Sequence, residues 1–296
     1  MSCSARECAV VIDGNALTYR AYYATINQIE YFLKNGIKPN NAIKLMLIMS
    51  LKILQEFNPK YALIAFDTGR KTFRHDIFDQ YKANRAKAPN ELIDQIKILP
   101  TAILLCGYNV YLQEGIEADD IIGSFAELTK KNNIVCKIFS SDKDMLQLVN
   151  SLTEVYMPKK GISEMVVYNN DNFLSLMDGL KPNQITDYKG IVGDASDNLP
   201  GIKGIGKKTG IKLLKEFNSL DNIFNNLDKL SKSQQKLFLD FKDIAIKCKN
   251  LSTIKQDIFF NKKISDFLRT SIQIEKLFSF FHEYKINNME KYVFNN

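Results

Sequence analysis

Three short apolar runs, each ending on an acidic side chain, constrain this chain more than any other feature. Residues 8–12 (CAVVI) run into Asp13, residues 61–66 (YALIAF) into Asp67, and residues 134–141 (IVCKIFSS) into Asp142-Lys143-Asp144. The first is a continuous apolar run of the kind expected for a strand buried on both faces, and the other two follow the same pattern. Helical patterns fill the intervals between them. Strands alternating with helices imply right-handed crossovers and a mostly parallel α/β sheet, whose C-terminal strand edge is where ligands bind. Three strands would therefore deliver carboxylates to a single edge.

A fourth acidic group lies in residues 116–123 (IEADDIIG), where Glu117, Asp119 and Asp120 fall within four positions ahead of an apolar helical run. An acidic helix N-terminus is favourable in itself, because the helix dipole welcomes negative charge there. Carboxylates this close also raise one another's pKa, and a divalent cation is the natural way to hold them together. The recurrence of the pattern at Asp13, Asp67, Asp142 and Asp144, and again at Asp194 and Asp197, favours the metal reading.

The rest of the composition excludes several classes. At 296 residues the chain is long enough for one large domain or two modest ones, and 45% apolar with 25% charged residues is ordinary for a soluble globular protein. Cys3, Cys8, Cys106, Cys136 and Cys248 are odd in number and show no CxxC spacing, so neither a disulfide framework nor a zinc site is indicated. Reduced thiols point to the cytoplasm. No apolar leader precedes Asp13. The most apolar run, residues 42–54, is interrupted by Lys44 and Lys52 and is too short to span a bilayer, so a core-facing helix is expected. A formal charge of +7 around an acidic edge suits a polyanionic substrate whose reacting phosphate is handed to metal ions.

Two basic segments carry that argument further. Between Asp67 and residue 91 lie Arg70, Lys71, Arg74, Lys82, Arg85 and Lys87, with Phe73, Phe78 and Tyr81 interleaved. Such a run is ordinarily a solvated face. Cations alternating with aromatics directly after a site carboxylate can also follow a phosphate backbone while stacking on bases. From residue 193 the chain reads GDASDNLPGIKGIGKKTGIKLLKEF. Gly201, Gly204, Gly206 and Gly210 punctuate a turn between short helices, with Lys203, Lys207 and Lys208 around it. Backbone N–H groups exposed at such a turn form a sequence-independent phosphate site.

Five stretches, in order, carry a family resemblance: VVIDGNALTYRAYYA (10–24), FDTGRKTFRHDIFDQYKANR (66–85), GIEADDIIG (115–123), SSDKDMLQL (140–148) and GDASDNLPGIKGIGKKT (193–209). Together they span about 200 of the 296 residues. The chain resembles the 5′-nuclease (flap endonuclease) family, and within it the 5′–3′ exonuclease domain of bacterial DNA polymerase I.

The resemblance implies a PIN-like, Rossmann-like nuclease domain at 1–185, with a helical arch at about 70–100, and a helical DNA-binding domain at 186–296 containing a helix-hairpin-helix. It also implies cleavage of DNA, and of RNA primers on DNA, at a 5′ end or 5′ flap during replication and repair. Two Mg²⁺ ions, replaceable by Mn²⁺, would be held by Asp13, Asp67, Glu117, Asp119, Asp120, Asp142, Asp144, Asp194 and Asp197. The first four would serve mainly one ion, and Asp142, Asp144, Asp194 and Asp197 mainly the other. Hard oxygen ligands suit these ions, which keep several waters.

Lys82 and Arg85 would hold the reacting phosphate, with Tyr81, Lys71 and Arg74 nearby and Arg20 and Tyr22 at the floor of the site. Gly201, Lys203, Gly204, Gly206, Lys207, Lys208 and Thr209 would grip the duplex, with a K⁺ on backbone carbonyls. Arg70 stands where polymerase-linked relatives have a small residue, so the arch entrance is expected to differ. The chain stops at Asn296 with no polymerase domain, so a stand-alone nuclease is expected, any coupling to a DNA polymerase being in trans; nothing in the pattern demands more than a monomer.

Two other readings compete with this one. A non-catalytic DNA-structure binder should have lost some ligands to Asn, Ser or Ala, yet all nine positions are Asp or Glu. An RNase of the related PIN-like fold explains the acidic edge but neither the glycine turn nor the YKANR segment.

Overall fold

A computed structural model describes residues 7–160, 164–259 and 261–294. Its centre is a six-stranded sheet made of β1 (Cys8–Asp13), β2 (Tyr61–Ala65), β3 (Asn109–Tyr111), β4 (Val135–Phe139), β5 (Thr153–Lys160) and β6 (Glu164–Tyr168). The spatial order is β3-β2-β1-β4-β5-β6, parallel throughout except for β6, which returns antiparallel to β5.

The helices α1 (Gly14–Ala24), α2 (Ile29–Lys34), α3 (Asn41–Phe57), α4 (Phe73–Ile77), α5 (Asn90–Leu105), α6 (Ala118–Lys131) and α7 (Phe173–Leu176) belong to the sheet-containing part. The apolar run expected to form a core-facing helix is α3. Beyond them follow α8 (Ile185–Val192), α9 (Lys207–Phe217), α10 (Leu220–Asn225), α11 (Lys232–Asp240), α12 (Lys242–Ser252), α13 (Ile274–Glu283) and α14 (Glu290–Val293).

The continuous apolar character of β1 has a direct structural reason. Val10 and Ile12 point into a core shared with α1, α3 and α5, while Ala9 and Val11 point to the opposite face and meet Ile121, Ile122 and Phe125 of α6. A strand covered on both sides has no polar face to show. Leu213, Leu214, Leu220 and Phe238 form a further cluster within the α8–α12 region.

The chain then returns. Leu277, Phe280, Phe281, Met289 and Val293 of the α13–α14 segment pack into the core that holds Val10 and Ile12. By packing, this last segment belongs to the α/β part, although it follows the helical region in sequence.

Winding proceeds outward from β1 to β2 and β3, then resumes on the other side at β4. The topological switch point therefore lies between β1 and β4, the place where open α/β sheets bind ligands. Asp13 ends β1 there, and Asp142 follows β4. Gly14 permits the turn: a Cβ at this position would lie 2.5 Å from the Phe66 ring and 2.7 Å from the Ala65 carbonyl.

The segment from 70 to 100 is more compact than a long arch. It comprises the five-residue α4, turns through residue 84 and the first part of α5. Its turn lies on the 194–198 loop, where Asn84 donates to the Ala195 carbonyl (2.7 Å) and Asn198 to that of Gln80 (2.7 Å). Cys8, Cys106, Cys136 and Cys248 carry free thiols, and Cys3 lies outside the described residues. Among the described residues no helix is long and apolar enough to cross a membrane.

Candidate active site

The C-terminal strand edge opens into a cavity of about 520 Å³. Asp13, Asp67, Glu117, Asp119 and Asp142 line it, brought from β1, β2, α6 and the turn after β4. Lys82 and Arg85 of the arch segment face these five carboxylates, so the cavity carries an excess of negative charge.

Local hydrogen bonds fix the acids. Ser140 donates to Asp13 Oδ2 (2.7 Å), and the Ala16 N–H donates to Asp13 Oδ1 (2.9 Å). The Ala118 N–H donates to Asp67 (2.7 Å), while Asp67's own N–H donates to the Asn15 side chain (2.9 Å). Burial, reinforced by the charges of Asp67 and Asp142, pushes the Asp13 carboxyl from 3.8 up to about 7. Asp119 is raised well above the usual carboxylate range by burial and by Asp142 and Asp13. Carboxylates held this close with too few cations beside them are a donor set that fits a divalent metal ion.

Glu117 behaves oppositely. Burial would raise its pKa, but Lys82 and Arg74 outweigh that and hold it below its ordinary value. Thr72 donates to Glu117 Oε1 (3.0 Å), and Lys82 Nζ lies 2.9 Å from Oε2. Lys82 reaches that position from a left-handed backbone (φ 56°), with its N–H bonded to the Asp197 carbonyl (3.1 Å). Backbone strain at a non-glycine residue is characteristic of functional sites.

A second acidic group adjoins the first. Carboxylate oxygens of Asp144, Asp194 and Asp197 lie within 4.8 Å of one another, a spacing that suits a metal ion. Lys189, from α8, contacts both Asp144 and Asp194 through its ammonium group. Tyr81 links the two groups: its buried hydroxyl lies 3.2 Å from Glu117 Oε2 and 3.2 Å from Asp197 Oδ2. Arg85 pairs with the other Asp197 oxygen at 2.7 Å. Asp142, expected with the second group, lines the cavity of the first and feels Lys189 and Asp197 from there.

Three expected site residues lie elsewhere. Asp120 is fully buried and accepts both Nη atoms of Arg74, at 2.7 and 2.8 Å, so the two residues expected to bind metal and DNA bind each other. The reason is helical: consecutive residues are about 100° apart, so when Asp119 faces the cavity Asp120 faces away. Tyr22 is only 3% exposed and lies in the core beneath α1. Arg20 does lie beside the site, lining an open cavity with Tyr19, Tyr23 and Ser141.

At the glycine turn, Ile202 and Ile205 are buried while Lys203, Lys207 and Lys208 are exposed, and the first turn of α9 follows Gly206. Gly201 (φ +63°) cannot be replaced without strain, since a Cβ would lie 2.3 Å from the Gly193 nitrogen. Lys71 is exposed on the approach to α4, and Thr209 is half-buried on α9.

Sequence reasoning missed Lys189, Ser140 and Thr72. Thr72 and Ser140 each lie inside a recognised motif, 66–85 and 140–148, where sequence reasoning singles out only the charged and aromatic residues. Lys189 precedes Asp194 by five residues, a spacing that brings the two together only because Gly193, at φ +82°, ends α8 and turns the chain back.

An acidic sheet edge faced by an arch of cations, with a lysine-rich helical turn alongside, defines a class of metal-dependent enzymes acting on phosphodiesters. The N-terminal resolvase-like domain of the 5′-3′ exonuclease family matches residues 8–178, and its C-terminal SAM-fold domain matches residues 180–275. The chain belongs to the 5′-3′ exonuclease family. It is 46% identical over 281 residues to a 5′-3′ exonuclease of Mycoplasma genitalium, covering 95% of this chain and 97% of that one. With DNA polymerase I of Bacillus subtilis it shares 37% identity over 289 residues, covering 96% of this chain and 32% of the polymerase. The fold is that of the bacteriophage T5 D15 flap endonuclease, solved with DNA and metal ions, at a TM-score of 0.68 and 18% identity over 94% of this chain and 99% of that one.

Proposed function

We propose that this 5′-3′ exonuclease hydrolyses a DNA phosphodiester at a 5′ end or at the base of a 5′ flap, with RNA primers on DNA among its substrates. The observation that carries this reading is the convergence of Asp13, Asp67, Glu117, Asp119 and Asp142 on one cavity, with Lys82 and Arg85 facing them. Asp144, Asp194 and Asp197 would hold a second ion. All of these are hard oxygen donors, suited to Mg²⁺ and, in its place, Mn²⁺. Bound divalent ions would activate a water and stabilise the leaving oxygen in an in-line displacement.

The chain's own groups do the rest. Lys82 and Arg85, held by Glu117 and Asp197 before substrate arrives, exchange those partners for the reacting phosphate. Tyr81 fixes the spacing between Glu117 and Asp197, and so between the two acidic groups. Arg20 and Lys71 extend the positive surface on either side. The turn at 201–209 holds the duplex through backbone N–H groups and Lys203, Lys207 and Lys208; a K⁺ on its carbonyls would strengthen that grip. The enzyme works as a cytoplasmic monomer, with a DNA polymerase supplied in trans.

A 5′-labelled double-flap duplex tests this reading, incubated with Mg²⁺ or EDTA beside the corresponding single strand and resolved by product length. The expected result is a metal-dependent cut at the flap junction and none on the single strand. Tight binding without any cut would favour a DNA-structure binder.

A further inference from the structure

Beside the acidic cavity lies a second cavity of about 800 Å³ that the reaction as described does not use. The two are continuous, since Asn15, Tyr19, Asp67 and Gly69 line both. Their linings differ in kind. Where the first is acidic, the second is walled by Phe66, by Ile93, Ile96 and Pro100 of α5, and by Leu112.

The three α5 residues fall on one stripe of the helix, and Leu112 is 50% exposed. Arg70 and Glu114 stand at the rim as an ion pair of 2.5 Å, with both side chains about two-thirds exposed. An exposed pair of this kind contributes little and exchanges readily for another partner.

We propose that this cavity is a nucleobase subsite for the displaced 5′ strand, with Arg70 releasing Glu114 to take the adjoining phosphate. The proposal rests on the 5′-nuclease reading. The order of features across the molecule selects the occupant. The lysine-rich turn meets the second acidic group where Gly201 packs on Gly193, Asp197 meets the main cavity through Lys82 and Arg85, and the apolar cavity shares the Asn15, Tyr19, Asp67 and Gly69 wall of that main cavity. A strand gripped as duplex at the turn and cut at the carboxylates finds, for its 5′ portion, a path that continues across that shared wall. Phosphates cannot enter an apolar cavity without losing their hydration. A base can, and Tyr19, 37% exposed and shared by both cavities, offers it ring surface; such contact is sequence-tolerant because every base has a π-face.

Double-flap substrates carrying a single abasic residue at the first, second, third or fifth flap nucleotide test the proposal. Cleavage in Mg²⁺ is read as kcat/KM against the unmodified flap. The expected result is a loss of about five- to tenfold at one or two adjacent positions near the junction and none at the fifth. Leu112→Ser, an exposed substitution that leaves the core intact, should slow cleavage of the unmodified flap while shrinking the abasic penalty to about twofold.

Equal rates at all four positions would overturn the subsite, as would a penalty that Leu112→Ser leaves unchanged. Absence of cleavage on the unmodified flap would remove the nuclease reading, and the subsite with it.

Discussion

Arg74 and Asp120 form a buried, two-pronged ion pair that ties the arch segment to α6, with their oxygens and nitrogens 2.7 and 2.8 Å apart. The same guanidinium donates to the Leu251 carbonyl (2.8 Å) and the Thr253 carbonyl (3.0 Å), and the Lys255 N–H donates to Asp120 (2.9 Å). Arg74 also lies 3.4 Å from Glu117. One side chain thus joins the arch, the helix that carries Glu117 and Asp119, and the segment leaving α12.

Asp120→Ala should therefore act on stability rather than on metal use. It leaves a buried guanidinium without its main partner, a change that typically costs about 3–5 kcal/mol. Denaturant unfolding should show that loss, while the Mg²⁺ concentration giving half-maximal cleavage in the folded fraction stays within about twofold of wild type. A large rightward shift of the Mg²⁺ curve with undiminished stability would return Asp120 to the metal set.

The pair also marks the limit of what the sequence makes legible. Strands that end on acids can be read directly, because burial on both faces demands the unbroken apolar runs of β1 and β2; β4 is interrupted only by Lys137, which is held by Glu154 and Tyr156 of β5. The short β3 and the β5–β6 hairpin lack such runs and were not anticipated. Within IEADDIIG, composition cannot tell which of two adjacent aspartates faces the cavity; only the helix phase decides, and it is fixed by where α6 begins. Lys189 was hidden for a related reason, since it meets Asp194 through a turn and Asp144 through the packing of α8 on the loop after β4.

Lys189 supplies the second prediction. Its ammonium group neutralises Asp144 and Asp194 where a divalent ion would otherwise do so. Lys189→Met should lower the melting temperature in EDTA more than in Mg²⁺, because the ion replaces the lost charge. Thermal unfolding of both proteins in both buffers measures the difference. A Mg²⁺-induced shift no larger in Lys189→Met than in wild type would show that the lysine and the ion do not share these carboxylates.

Asp13 gives stability a pH dependence of definite sign. Its carboxyl, at about 7 in the folded chain against 3.8 ordinarily, keeps a proton that the unfolded chain has released. The folded state therefore binds more protons between about pH 4 and pH 7, and the metal-free protein loses stability as pH rises through that window. The full shift corresponds to about 4 kcal/mol. Glu117 and Asp194, whose pKa values are lowered, act in the opposite sense but only at more acidic pH. Melting temperatures in EDTA should fall from pH 5 to pH 7.5, and the fall should be smaller in Asp13→Asn and in excess Mg²⁺. A slope that Asp13→Asn leaves unaltered would locate the pH dependence in other groups.

The lysines of the glycine turn make a prediction separable from all of these. Lys207 and Lys208 begin α9, are exposed and lie far from the acidic cavity in character: Lys207's partner is the exposed Asp178 at 3.0 Å. If they neutralise duplex phosphates, replacing both with Ala removes two released counterions. The slope of log K against log salt should then become shallower by about 1.8. Affinity should fall alike for duplexes of unrelated sequence, since phosphate contacts carry no base information. Binding is measured in EDTA, without the metal that cleavage needs, across a salt series on two unrelated flap duplexes. An unchanged slope would exclude the turn as a duplex clamp, and a loss confined to one of the two sequences would assign it to base recognition instead.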